Sequence, residues 1–253
     1  MADVVQSVDR ALGILELLSK NEQGLYIKDI SLELDLHKST VHRLLGTLIY
    51  KGYVKQNESS SKYYVTMKLF QLGSRKVENI DLIEIARPYL NKIAQISGEV
   101  VHLVIRDGKY IVYVDKVEGN QTIRMHSKIG RRSYMYCTGV GKAIMSTLQQ
   151  EEVKKIWEGS RIKKYTKYTI ENLSDMEEEL GHIKNVGYAI DNEENELGVR
   201  CCAVPIIDYK QVSSAALSVS GPTSRMSDEK IKEFSETLIT YAAEISKQLG
   251  YRG

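Results

Sequence analysis

Apolar residues recur at helical spacing from the beginning of the chain. Val8, Leu12, Leu15 and Leu18, widened by Ala11 and Ile14, predict a first helix, with Ser7 placed to cap it and Asn21-Glu22-Gln23-Gly24 placed to end it. Ile27, Ile30 and Leu34 share one face of a short second helix, and Asp35-Leu36-His37 supplies a tight turn. A third helix is expected from about residue 38 to 51, stopped by Gly52. In it Val41, Leu44, Leu45 and Leu48 stand at i, i+3, i+4 and i+7 and form the buried side, which leaves Ser39, Thr40, His42, Arg43 and Thr47 on the other.

After Gly52 the period changes to two. Residues 53–56 and 63–65 are aromatic and β-branched and flank a polar tip, so they predict a hairpin. Residues 68–77 suit a helix. Asp81 is placed to cap another, which carries Leu82, Ile83, Ile85, Leu90 and Ile93, ends at Gly98 and has a kink or split expected at Pro88. Beyond it, strands are expected at 100–105, 109–117, 122–129, 188–190, 200–207 and 212–219, with Asp107-Gly108 as a hairpin turn. Helices are expected at 138–148, 151–158, 173–186 and 228–249, the last capped by Ser227. This interleaving implies an α+β fold with a mainly antiparallel sheet.

Composition narrows the class only a little. With 42% hydrophobic and 27% charged residues the chain is ordinary for a soluble globular protein, and its net charge is +2. Residues 1–75 hold ten Lys and Arg against eight Asp and Glu, so charge alone does not announce nucleic-acid binding. The N-terminus does not read as a signal peptide, and the sequence offers no apolar run of membrane-spanning length. Three cysteines, Cys137, Cys201 and Cys202, are odd in number with two adjacent, which argues against a disulfide framework and for a reducing cytoplasm.

The first sharp signal is the short helix, the three-residue turn and the third helix, the geometry that sets a recognition helix in the major groove. Lys38, Ser39 and Thr40 at the helix start are suited to phosphate oxygens. Arg43 matches guanine O6 and N7, and His42 reaches a base edge or a phosphate. The hairpin that follows, with Lys62 and Tyr63 at its tip, completes a winged module.

Ser7-Val8-Asp9-Arg10-Ala11-Leu12-Gly13-Ile14-Leu15 and Lys38-Ser39-Thr40-Val41-His42-Arg43-Leu44-Leu45 resemble the N-terminal domain of the IclR family of bacterial transcription regulators. The likeness continues through Lys68-Leu69-Phe70-Gln71-Leu72-Gly73, Gly139-Val140-Gly141-Lys142-Ala143, Gly187-Tyr188-Ala189-Ile190-Asp191-Asn192-Glu193-Glu194 and Leu217-Ser218-Val219-Ser220-Gly221-Pro222, in the family's order. The resemblance implies a winged helix-turn-helix over 4–66, a linker helix over 67–80, and a GAF-like effector domain over 81–251. It implies a homodimer or dimer of dimers on a near-palindromic operator; no cofactor is expected, and the sequence itself points to no metal site and no membrane contact.

By the same resemblance, effector contacts fall on the backbone near Gly139 and Val140, and on Asp191, Cys201, Ser218 and Ser220. Residues 123–132 and 79–83 are similar to the branch that represses sugar-acid catabolism in response to 2-keto-3-deoxygluconate, with Arg124 holding the carboxylate. Departures from the family pattern at Tyr134-Met135-Tyr136, Cys202 and Ile207 bear on ligand size. Three alternatives stay open: an activator of aromatic or other organic-acid catabolism, an interaction module that does not bind DNA, and a cysteine-dependent enzyme using Cys137. The last lacks an identifiable His or Asn partner, and Cys201-Cys202 has no second cysteine pair for zinc.

Overall fold

The structure, a computed structural model, describes residues 4–69, 71–72, 81–121 and 128–252. Its contacts divide into two units, Met1–Ile80 and Asp81–Gly253.

The first unit contains helices α1 (Gln6–Ser19), α2 (Ile27–Glu33) and α3 (Lys38–Tyr50), then the hairpin β1 (Val54–Gln56) and β2 (Tyr63–Val65). Helix α1 starts two residues earlier than expected. Val5 is its N-cap, so Ser7 lies inside the first turn instead of capping it. Ile14, Leu18, Ile30, Val41, Leu45 and Leu48 converge on one core with Val54 and Tyr63. The turn between α2 and α3 places Asp35 at φ 49°, and it is tied by Leu36 N–H donating to Ser31 O at 2.9 Å. Asn57 Oδ1 closes the hairpin tip by accepting from the Ser59 and Ser60 amides at 3.0 and 2.9 Å. Leu25 bridges to Tyr63 in antiparallel fashion and ties the hairpin to the chain between α1 and α2. Lys68, Leu69, Gln71 and Leu72 are helical, whereas the rest of the expected linker, 73–80, lies outside the described residues.

The second unit opens with α4 (Leu82–Ser97), followed by β3 (Val100–Asp107), β4 (Tyr110–Val117) and β5 (Arg132–Tyr134). Then come α5 (Gly139–Met145), α6 (Gln150–Gly159), α7 (Leu173–Val186), β6 (Ala189–Asn192), β7 (Val199–Ile207), β8 (Ser213–Pro222) and α8 (Asp228–Gln248). The six strands form one sheet in the order β5-β4-β3-β8-β7-β6, and every pairing is antiparallel. Side chains of α5, α6 and α7 build the larger core against the sheet, with Val140, Ile144, Ile156, Met176 and Ile183 among them. Helices α4 and α8 pack on each other and on the sheet.

Two expectations are corrected. Pro88 does not split α4, which runs through it. Pro88 is exposed, so water can serve the Glu84 carbonyl that its missing N–H would have bonded. Of the strand expected at 122–129, residues 122–127 lie outside the described residues, and Ile129 and Gly130 form a turn. The strand in that region is β5, which pairs Tyr134 with Tyr110.

Asp81 caps α4 as expected, its Oδ1 accepting from Ile83 N–H at 2.9 Å and Glu84 N–H at 3.2 Å. Asp81→Ala is expected to destabilise the second unit by about 1 kcal/mol, read from chemical denaturation. An unchanged midpoint would show that water replaces the cap without cost.

Candidate nucleic-acid interface and ligand cavity

Helix α3 buries Val41, Leu45 and Leu48 and exposes Lys38, Ser39, His42, Arg43 and Thr47, with Thr40 half-buried. The helix contains no acidic residue, so its outward face presents cations, hydroxyls and an imidazole with no carboxylate to repel phosphate. Thr47 Oγ1 donates to Arg43 O at 3.2 Å and stays close to its own helix.

The wing differs from expectation. Tyr63 is only 7% exposed and sits in the core with Ile14 and Leu45, so its ring is corrected from a groove contact to a packing residue. The physical reason is pairing: Tyr63 exchanges backbone hydrogen bonds with Leu25 at 2.8 and 3.2 Å, which turns its side chain inward. Lys62 is half-buried. Its ammonium donates to Gln23 O at 3.2 Å and stands over the Tyr26 ring, 5.2 Å from the centroid.

A groove of about 840 Å³ runs between α1, α3 and Leu69 and Leu72. Val8 and Leu12 of α1 and Leu72 line it while exposed to solvent, and Thr40, Arg43 and Thr47 line it as well.

In the second unit Gly139, Val140, Asp191, Cys201, Ser218 and Ser220 line a single cavity of about 60 Å³. Arg124 lies outside the described residues. Register explains the convergence. His102 on β3 stands opposite Ser218 on β8, Cys201 on β7 opposite Ser220, and Asp191 on β6 opposite Cys201. One face of neighbouring strands thus carries a row of polar side chains beneath the start of α5. Thr138 caps that helix by accepting from Gly141 N–H at 3.2 Å. At Gly139 a Cβ would lie 3.3 Å from Asp191 N, so this glycine lets the helix approach β6 closely.

His102, Tyr113, Arg131, Thr138, Asn195 and Glu196 complete the lining and were not singled out from sequence. A signal for His102 was present: it is the one polar residue in the apolar run Val100-Val101-His102-Leu103-Val104. Its Nδ1 lies 3.5 Å from Ser218 Oγ and 3.4 Å from Ser220 Oγ, and its ring meets Tyr113 edge-on. Burial, reinforced by the Lys116 charge, pushes the His102 pKa down to about 3, so the imidazole is neutral near physiological pH.

Asp191, 4% exposed, accepts from Glu194 N–H at 2.8 Å and Asn195 N–H at 3.4 Å. Burial first, and the Glu194 carboxylate second, push its pKa up to about 7 against the opposing pull of Lys142 and these amides. Behind the wall the Lys142 ammonium, 1% exposed, bonds Glu194 Oε1 at 2.5 Å and Glu179 Oε1 at 2.8 Å. The Thr166 and Thr169 hydroxyls hold the same turn by donating to Glu193 O at 2.6 Å and Glu194 O at 2.7 Å.

The cysteines carry little chemistry. Cys137 is buried, and burial together with the Asp191 and Glu194 charges pushes its thiol up to about 12, which leaves the thiolate that a nucleophile needs unpopulated near neutrality. Burial raises Cys201 also, and Cys202 to about 12. Among the described residues no helix is long and apolar enough to cross a membrane.

Comparison with known proteins agrees with this two-part architecture. Residues 7–58 match the IclR helix-turn-helix domain, and residues 74–247 match the bacterial transcriptional regulator IclR C-terminal domain. The chain is 40% identical over 249 residues to the HTH-type transcriptional regulator KdgR of Escherichia coli K12, covering 98% of this chain and 94% of that protein. It resembles the crystal structure of Thermotoga maritima IclR with a TM-score of 0.66 at 35% identity, covering 97% and 99% of the two chains. It resembles the Agobacterium tumefaciens repressor BlcR with a TM-score of 0.77 at 27% identity over the whole of both chains.

Proposed function

Because the chain belongs to the IclR family of bacterial transcriptional regulators, we propose that it is a cytoplasmic repressor released from its operator by a small organic acid, with 2-keto-3-deoxygluconate as the effector. The observation that carries this reading is the convergence of Asp191, Cys201, Ser218, Ser220 and His102 on one polar cavity. Carbonyl, carboxylate and hydroxyl groups of a sugar acid are the complement of such a lining. The DNA contacts are assigned to Lys38, Ser39, Thr40, His42, Arg43 and Thr47, with Lys62 contributing charge alone.

A second copy of the chain is the natural cover for the groove that exposes Val8, Leu12 and Leu72, since an apolar surface of that kind on a lone winged helix is costly. A homodimer, or a pair of dimers, then presents two recognition helices to two half-sites.

The cavity, about 60 Å³, is far below the ~300 Å³ of a typical ligand site. A six-carbon acid therefore enters only as the wall opens. That opening supplies the difference between DNA-bound and effector-bound states through which the ligand acts. The same volume favours a second reading, a two- or three-carbon 2-oxo acid such as pyruvate, which needs less opening.

Fluorescence anisotropy on the chain's own upstream DNA tests both. Binding is expected to weaken steeply with salt, and the sugar acid at millimolar concentration is expected to release the duplex where pyruvate does not. Release by pyruvate alone would select the smaller ligand. Release by neither, with no thermal shift, would remove the organic-acid reading.

A further inference from the structure

Lys142 is among the most deeply buried charges in the second unit, yet it is not part of the lining of the cavity described above. An ammonium so placed has lost its hydration and must be compensated by its partners. A methionine of similar volume would fill the space without that cost, so packing alone does not account for a cation here.

Its partners do. Glu194 and Glu179 hold Lys142 Nζ from the 191–196 turn and from α7, and Glu194 N–H in turn bonds Asp191 Oδ1. Two carboxyl groups, those of Glu194 and Glu179, thus share one buried cation, and Asp191 is tied to it only through the Glu194 backbone. Among the described residues no salt bridge reaches Asp191, which faces the cavity.

We infer that Lys142 is a positioning residue for ligand capture: through Glu194 it anchors the turn that presents Asp191, and it sets a cation behind that carboxyl. This rests on the reading of the cavity as the effector site. An anionic ligand entering beside an ionised Asp191 meets a like charge in a confined, poorly solvated space. With a proton taken up from solvent, Asp191 instead donates its O–H to a ligand oxygen.

The surrounding groups leave the charge of Asp191 to two residues. Cys201 on β7, Tyr113 on β4 and Cys137 ahead of α5 are weak acids that burial keeps neutral, and His102 on β3 is a neutral imidazole. Arg131 and Glu196 line the cavity with opposite charges and are exposed. What remains is Glu194, which raises the Asp191 pKa, and Lys142, which lowers it. With the Asp191 midpoint at about 7, proton uptake makes ligand affinity rise as pH falls through neutrality.

The test reads Asp191 without any ligand. Carboxyl carbons of the full chain, labelled at aspartate, are titrated by NMR, with Asp191→Asn identifying the resonance. In the unmodified chain Asp191 is expected to titrate near neutrality. Lys142→Met is expected to raise the midpoint by about one unit or more, a roughly tenfold weaker acid, and Glu194→Gln is expected to lower it. Opposite shifts are a signature that general loosening does not produce. Should Lys142→Met fail to fold, Lys142→Gln takes its place and must likewise raise the midpoint, with Glu194→Gln still lowering it. An Asp191 already fully ionised at about pH 5, an unchanged midpoint in Lys142→Met, or shifts of one sign in all variants would overturn the inference. Operator release by 2-keto-3-deoxygluconate and by pyruvate, at roughly pH 6 and 8, forms the second arm and is expected to strengthen at the lower pH. Failure of both acids at either pH counts against the effector reading, and the titration still decides the role of Lys142.

Discussion

Replacing Arg43 by alanine is expected to bring the affinities for operator and unrelated duplex together, while overall DNA binding survives. Arg43 is exposed on the face of α3 opposite Val41, Leu45 and Leu48, the geometry of a side chain that enters the major groove. A bidentate contact to guanine is worth about 1–3 kcal/mol of discrimination, so preference should fall roughly 5- to 150-fold. Lys62→Ala is the contrasting case. Its ammonium is already engaged by Gln23 O and the Tyr26 ring, so its loss should weaken binding slightly and alike for all sequences. Arg43 also borders the groove between α1 and α3, so sedimentation must show that the variant keeps its assembly. Undiminished preference in an intact assembly would remove Arg43 from base reading.

The second large effect is expected at Gly141. A Cβ there would lie 2.2 Å from Met135 O and 2.4 Å from Met135 Cα, both backbone atoms that cannot rotate away. Gly141→Ala must therefore lift α5 off the segment that precedes it. Overpacking of this kind costs about 3 kcal/mol or more, which for a unit of this size lowers Tm by roughly 6–12 °C. Because α5 roofs the cavity, ligand response should be lost at temperatures where DNA binding persists. Gly181→Ala is the control. Its Cβ meets nothing within 4 Å inside α7, and the exchange should stabilise the helix by about 0.5–1 kcal/mol. Scanning calorimetry compares the two, and equal transitions for Gly141→Ala and the unmodified chain would show that the helix moves freely.

Much of this architecture was legible from periodicity where local signals agreed. Helix α7 spans Leu173–Val186 as expected, because Asn172 caps it and Gly187 adopts the left-handed conformation that ends it. The third helix, the hairpin and the Ser227 cap were legible for the same reason. Strand β5 was not, since three residues carry no usable alternation and its pairing with β4 is a tertiary matter. Tyr63 shows the limit in another way. Alternation placed it on a strand, but the bridge to Leu25 chose its face. In the ligand cavity, six positions named from family resemblance meet in space, whereas His102, Tyr113 and Asn195 join them through register and a turn that no spacing rule announces. Lys142 stood within a motif in plain view. Its burial depends on Glu179 and Glu194, which are far away along the chain.

Among the described residues the six-stranded sheet ends on two short rims. One rim is β5, three residues long, with its Arg132 bonded to Asp107 across the surface; the other is β6, four residues long. A stray strand docking on either would find only a few free backbone groups to ladder onto, which is how natural sheets blunt runaway polymerisation. The sheet is thereby guarded against open-ended ribbon growth.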